Sequence, residues 1–173
     1  MYFLILAGWL SLTTVPASPA AEPVQWVSLP EAVRLSQQDG KKIFIDFYTD
    51  WCGWCKRMDR DTYAQPEVAA YLNTHYHAVK FNAEKPGDIV LDGVTYGFLG
   101  QPGKGGIHEI AYKLMNGQPS YPTSVFLEPD GNLITRVPGY LTGPDFMPIL
   151  HFIGENHYQK QTWDTFMQSW QQP

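Results

Sequence analysis

The chain has only two cysteines in 173 residues, Cys52 and Cys55, with two residues between them. Two thiols cannot build a disulfide-rich scaffold or a four-thiolate zinc site, and a bridge across so short a loop stabilises little. The fold therefore rests on burial of apolar surface. Hydrophobic residues at 44% and aromatics at 14%, against only 17% charged residues, supply enough of it to offset the entropy of ordering one domain. Lys and Arg number 12 against 17 Asp and Glu, a net charge of -5, so no basic surface is on offer and nucleic acid is excluded as a partner.

No charged side chain occurs from Met1 to Ala21, and the apolar run Tyr2 to Leu12 is followed by the small and turn-forming residues TTVPASPA. This pattern predicts a secretory signal peptide over residues 1–20, with a small-x-small cleavage site at Ser18, Pro19 and Ala20. The run is shorter than the roughly 20 apolar residues that span a bilayer. It also lacks the usual amino-terminal Lys or Arg, which leaves an uncleaved tether or an apolar first strand as alternatives. Export predicts a periplasmic or otherwise extracytoplasmic protein, residues 21–173, with no stable membrane insertion after cleavage.

Ser28 and Gly40 bracket a short amphipathic helix with Pro30 in its first turn. Ile43 to Tyr48 is a nearly continuous apolar run of strand length with an acid, Asp46, in its middle. Two helices with a kink follow the cysteines, the second restarting at Gln65-Pro66-Glu67, and His77 to Ala83 alternates as a second strand. The helical crossover makes that strand parallel to the first. Residues 86–106 hold seven Gly and two Pro, with Asp92-Gly93 placed as a hairpin turn, and predict a surface insertion. Beyond it the spacing predicts a helix around 107–115 and an antiparallel hairpin over SYPTSVFLEPDGNLITRVPGY. A helix capped by Thr142 follows, and a last one carries Trp163, Phe166, Met167 and Trp170.

A C-x-x-C where a buried strand meets a helix places the first sulfur at the helix amino terminus, where free amides stabilise a thiolate. Cys52 is the candidate nucleophile. At an ordinary pKa of about 8.5 only some 3% of a thiol is ionised at neutral pH, and the helix end alone supplies too little to change that, so neighbours must contribute. Cys55, one turn on, is placed to attack a mixed disulfide on Cys52. The pair His75-x-His77 invites a copper or zinc reading together with the two thiols, while His108, His151 and His157 look scattered.

The stretch DFYTDWCGWCK resembles the active site of the thioredoxin-like superfamily, and CGWCKRMDRDTYAQPEVAAYLNTHYHAVKFNAE resembles its secreted members. The resemblance runs from about Trp26 to Ile153. It implies an α/β thioredoxin fold, a central mixed β-sheet flanked by helices, with the Gly-rich insertion preceding the hairpin that carries a cis-proline. Asp46 matches the buried aspartate that helps deprotonate the second cysteine, and Lys80 the lysine that pairs with it. Pro122 matches the cis-proline, which would present the backbone of Tyr121 to an extended substrate. Gly139 matches the glycine that keeps the substrate groove open, although Pro138 beside it departs from the pattern. Gly53-Trp54 stands where thioredoxin has Gly-Pro, a change that bears on thiolate stability and redox direction. Trp51 and Trp54 flank the sulfurs as an apolar contact surface for clients.

These residues predict an exported thiol-disulfide oxidoreductase acting on protein thiols and disulfides, leaning toward reduction, with an unidentified redox partner and no cofactor. Two alternatives stand beside it: a module that holds copper or zinc through the two thiols, and a non-catalytic client-binding domain whose disulfide is a clip.

Overall fold

The computed structural model describes residues 22–101 and 103–170. The expected signal peptide lies outside the described residues.

A five-stranded mixed sheet forms the centre. β1 (Trp26–Val27), β3 (Tyr76–Asn82) and β2 (Lys42–Tyr48) run parallel, and β8 (Thr123–Leu127) and β9 (Leu133–Pro138) complete the order β1-β3-β2-β8-β9 as an antiparallel pair. The expected fold class is the observed one. Between β1 and β2 lies α1 (Leu29–Asp39), whose Ser28 side chain accepts from the Glu31 amide and whose end is set by Gly40 in the left-handed region. The crossover from β2 to β3 is made of α2 (Gly53–Met58), a π-helical turn (Asp59–Tyr63) and α3 (Pro66–His75). The expected kink is therefore a wide turn in a nearly continuous helix, and Pro66, which lacks an amide hydrogen, restarts regular geometry where none is needed.

Alternation along β2 sends side chains to opposite faces of the sheet. Ile43, Ile45 and Phe47 join Leu29, Val79, Ile110 and Val125 on the side of α1 and α4 (Glu109–Leu114). Phe44 joins Tyr63, Leu72, Phe126 and Phe146 beneath α3 and α5 (Gly143–Gly154). Its ring lies 5.3 Å from Phe126 and 5.5 Å from Phe146. Each such fully buried side chain is worth roughly 1.5–3 kcal/mol. Asp46 falls on the Phe44 side by the same parity, so the fold buries a carboxylate beside aromatic rings.

Residues 86–106 do form an insertion, but it holds two hairpins rather than one. β4 (Ile89–Leu91) pairs with β5 (Val94–Tyr96) across Asp92 and Gly93, both with positive φ as a type I′ turn requires. β6 (Phe98–Gln101) pairs with β7 (Gly105–His108). A helix beginning at Ile107 is thereby excluded, because β7 commits those backbone groups to β6. The helix starts at Glu109 instead, capped by His108, whose Nδ1 accepts from the Ile110 amide. Gly106 is confined to glycine: a Cβ there would lie 2.5 Å from the Leu99 carbonyl oxygen. α6 (Trp163–Trp170) closes the described chain and buries Phe166. Among the described residues no helix is long and apolar enough to cross a membrane.

Candidate active site

β2 ends at Tyr48, and the chain turns through Thr49 and Asp50 to put Cys52 at the N-cap of α2. The two sulfurs form a disulfide, and the Cys55 amide donates to Cys52 Sγ at 3.0 Å. That donor is one of the unpaired amides every helix start offers, and it favours negative charge on Cys52. Cys55 is 1% exposed, and Cys52, the candidate nucleophile, only 3%. Their neighbours are the opposite. Trp51 is 67% exposed and Trp54 55%, so the buried sulfurs are flanked by two exposed aromatic walls.

Each wall has a second ring. Trp51 meets Tyr121 edge-on at 5.9 Å, and its indole nitrogen donates to Glu84 at 2.7 Å. Trp54 lies 5.4 Å from Tyr140, with the Arg57 guanidinium over both rings at 5.4 and 5.5 Å. The Tyr121-Pro122 bond is cis, as the resemblance implied, and the Gly139 amide donates to the Pro122 carbonyl at 2.8 Å. Gly139 has a φ of 100° and open space where a side chain would project. Gly53 likewise faces open space.

Asp46 and Lys80 face each other in register across β2 and β3, with Lys80 Nζ 2.5 Å from Asp46 Oδ2. Lys80 also reaches Asp59, one helical turn beyond Cys55, and its ammonium lies about 5 Å from the rings of Trp26, Tyr48 and Tyr63. Burial pushes the Asp46 carboxyl above the ordinary carboxylate range despite the pull of Lys80. Burial opposes the Lys80 charge too, yet attraction to Asp46 and Asp59 outweighs it and holds the ammonium above its ordinary range. Asp46 Oδ1, the Tyr63 hydroxyl and the Ser124 hydroxyl are buried without a hydrogen-bond partner among the described residues. Ser124 is the register partner of Asp46 on β8.

Asp59, Glu84, Arg57 and Tyr140 were not singled out from the sequence. Asp59 carried a usable signal, since a residue four after Cys55 shares its helix face. Glu84 lies just past one predicted strand and Tyr140 is the last residue of the predicted hairpin, and only the fold shows what they touch.

The histidines lie apart from the thiols. His75 stacks on Tyr71 and His77 bonds Asp39, both at the end of the sheet opposite the cysteines, so fold geometry separates them from the thiols. Among the described residues no three His, Cys, Asp or Glu side chains converge as metal ligands would. His108 is buried and caps a helix, and His151, in the last turn of α5, shares the Glu155 carboxylate with His157, at 2.6 and 3.2 Å.

A family model described as a thioredoxin-like domain matches residues 29–154. The chain belongs to the thioredoxin-like family. Curated relatives include a thiol:disulfide interchange protein DsbD from Cronobacter sakazakii, 29% identical over 68% of this chain and 17% of the relative. Another is a disulfide bond reductase DsbH from Chlamydia pneumoniae, 37% identical over 35% of this chain and 37% of the relative. The chain thus spans well under half the length of either. A solved DsbH oxidoreductase shares the fold with a TM-score of 0.59 at 22% identity, covering 86% of this chain and 95% of that one. A thioredoxin from Thermus thermophilus does so with 0.56 at 20% identity, covering 82% and 100%.

Proposed function

We propose that this thioredoxin-like domain is an exported thiol-disulfide oxidoreductase that exchanges disulfides with protein clients, leaning toward their reduction. The observation that carries the reading is the placement of Cys52, capping α2 and accepting the Cys55 amide, on the strand-to-helix turn that leads out of the Asp46-Lys80 pair. The interchange and reductase names of the relatives support it. Export rests on the apolar, uncharged first 21 residues.

In the reducing direction the Cys52 thiolate attacks one sulfur of a client disulfide, forming a mixed disulfide and releasing a client thiolate, which takes a proton from water. Asp46 accepts the Cys55 proton, and its raised pKa suits a base working near neutral pH. Cys55 then attacks Cys52 Sγ, closing the Cys52-Cys55 disulfide and releasing the second client sulfur. Two electrons pass to the client, and an external dithiol partner restores the protein. Lys80 steadies the Asp46 charge. Trp51, Gly53, Trp54 and Gly139 line the approach, and the backbone at Tyr121 and Pro122 pairs with an extended client segment.

Cys52→Ser abolishes turnover, whereas Cys55→Ser retains attack and accumulates mixed disulfides with clients. Normal turnover in Cys52→Ser overturns the reading. The direction is read from the equilibrium reduction potential against glutathione: a value near the thioredoxin figure of about -270 mV marks a reductant, and one near about -120 mV an oxidant.

A further inference from the structure

The two aromatic walls beside the sulfurs end in opposite charges. On the Trp51 side, Glu84 holds the indole nitrogen at 2.7 Å. A cavity of about 420 Å³ there is lined by Asp50 and Glu84 against a single cation, Lys85. On the Trp54 side, Arg57 covers both Trp54 and Tyr140, and Lys56 and Arg60 are exposed in the same turns. Asp61 is shared between Arg57 and Arg60, and Asp59 is committed to Lys80, so positive charge prevails on that side. Cys52, 3% exposed, directly follows Trp51 and precedes Trp54 by two residues, so an extended client segment that docks its cysteine there lies near both charged ends.

We propose that this surface selects clients by charge order as well as by apolar contact: the preferred segment carries apolar residues beside its cysteine, a basic residue toward Glu84 and an acidic residue toward Arg57. This rests on the exchange function proposed above and adds Glu84 and Arg57 as its specificity-determining residues. The charges are partly exposed, so each contributes modestly, and their effect shows mainly in the rate of productive encounter. Two complementary ends acting together favour one order of charges over its reverse by roughly threefold or more.

The test uses the reduced full-length protein and four synthetic peptides. Each has one cysteine held as a disulfide with 2-mercaptoethanol, phenylalanine on either side, and outer residues Lys and Glu, Glu and Lys, Lys and Lys, or Glu and Glu. Second-order rates of peptide reduction are followed by tryptophan fluorescence. The expected result is that one of the two mixed orders is fastest, that about 0.5 M salt flattens the difference, and that Glu84→Lys with Arg57→Glu inverts it. Equal rates for the two mixed orders, or a preference that survives salt or charge reversal, overturn the proposal. Bis(2-hydroxyethyl) disulfide, which carries no charge, is the control on the wild-type protein. If it is reduced while the peptides are not discriminated, only the charge-order inference falls; if it is not reduced, the exchange function falls and the inference with it.

Discussion

Lys80 and Asp46 occupy the same register position on adjacent parallel strands, and the ammonium of one meets the carboxylate of the other at 2.5 Å with Asp46 only 1% exposed. The carboxyl nevertheless stays above the ordinary range, because burial costs the charged form more than one partly shared cation returns. Asp46 therefore lowers stability wherever it is ionised. In the unfolded chain it titrates near about 3.9, and in the folded chain higher. Its contribution is most favourable below the unfolded value and is lost as pH rises through the folded one. Asp46→Asn is similar in shape and unable to ionise, and Lys80 keeps Asp59 as a partner, so the variant is expected to be more stable than the wild type at neutral pH. The gain should shrink toward pH 4 in a series of urea denaturations. A difference that does not change with pH would contradict this.

Removing the cation acts on chemistry. Lys80→Met leaves Asp46 with no ammonium beside it and pushes its pKa further up, so attack by Cys55 on a preformed Cys52 mixed disulfide needs a higher pH. About tenfold slower resolution at neutral pH is expected for each unit by which the profile moves. Asp59 raises the Asp46 pKa through its like charge, so Asp59→Asn should move the profile the opposite way. Stopped-flow rates across pH separate the two variants, and shifts in the same direction would refute the assigned roles.

His108 sets the acid side. Burial holds its imidazole below the ordinary range, and its Nδ1 must stay unprotonated to accept the Ile110 amide. The stability this gives is complete above about 6.5 and is lost as pH falls through the lower folded value. His108→Asn keeps a capping oxygen and removes the titration, so its melting temperature should fall less than that of the wild type between neutral pH and pH 5. The difference in stability is on the order of 1 kcal/mol. Parallel slopes would show that His108 is not the group responsible.

Phe44 is the packing test. It is fully buried, with Trp26, Tyr63, Phe126 and Phe146 around it. Phe44→Ala should cost about 3–5 kcal/mol by urea denaturation, since four rings attached to different elements cannot close together on the void. A cost below about 2 kcal/mol would mean that this core repacks freely.

The legible parts of the fold are those whose reasons are local. Ser28, Gly40 and the run from Ile43 to Tyr48 declare a helix and a buried strand within a few residues of sequence, and Asp92-Gly93 declares its hairpin by conformation alone. β1 was not legible because two residues carry no periodicity, and its strand character comes entirely from pairing with Ala78 and Val79. β6 and β7 were hidden by glycines, which read as loop but here permit close approach of two backbones. In the site, the cysteines follow from spacing, and Lys80 and Pro122 from the resemblance. Glu84, Arg57 and Tyr140 do not, because their partners are Trp51 and Trp54 across the fold and nothing near them in sequence announces the contact.

The insertion departs from the sheet and comes back to almost the same place: the Ala83 amide bonds the Tyr48 carbonyl at 2.9 Å, and the His108 amide bonds the Ala83 carbonyl at 2.7 Å. The described residues between Ala83 and His108 are thus a detour whose two ends are held together at the end of β2 that leads toward Cys52. Lengthening a detour with fixed ends costs little chain entropy, about 0.6 kcal/mol per doubling. The insertion can therefore change in length at little entropic cost, but Ile89, Leu91, Tyr96 and Ile107 pack against the core beside Leu29 and Ile110, so any replacement must supply apolar residues there.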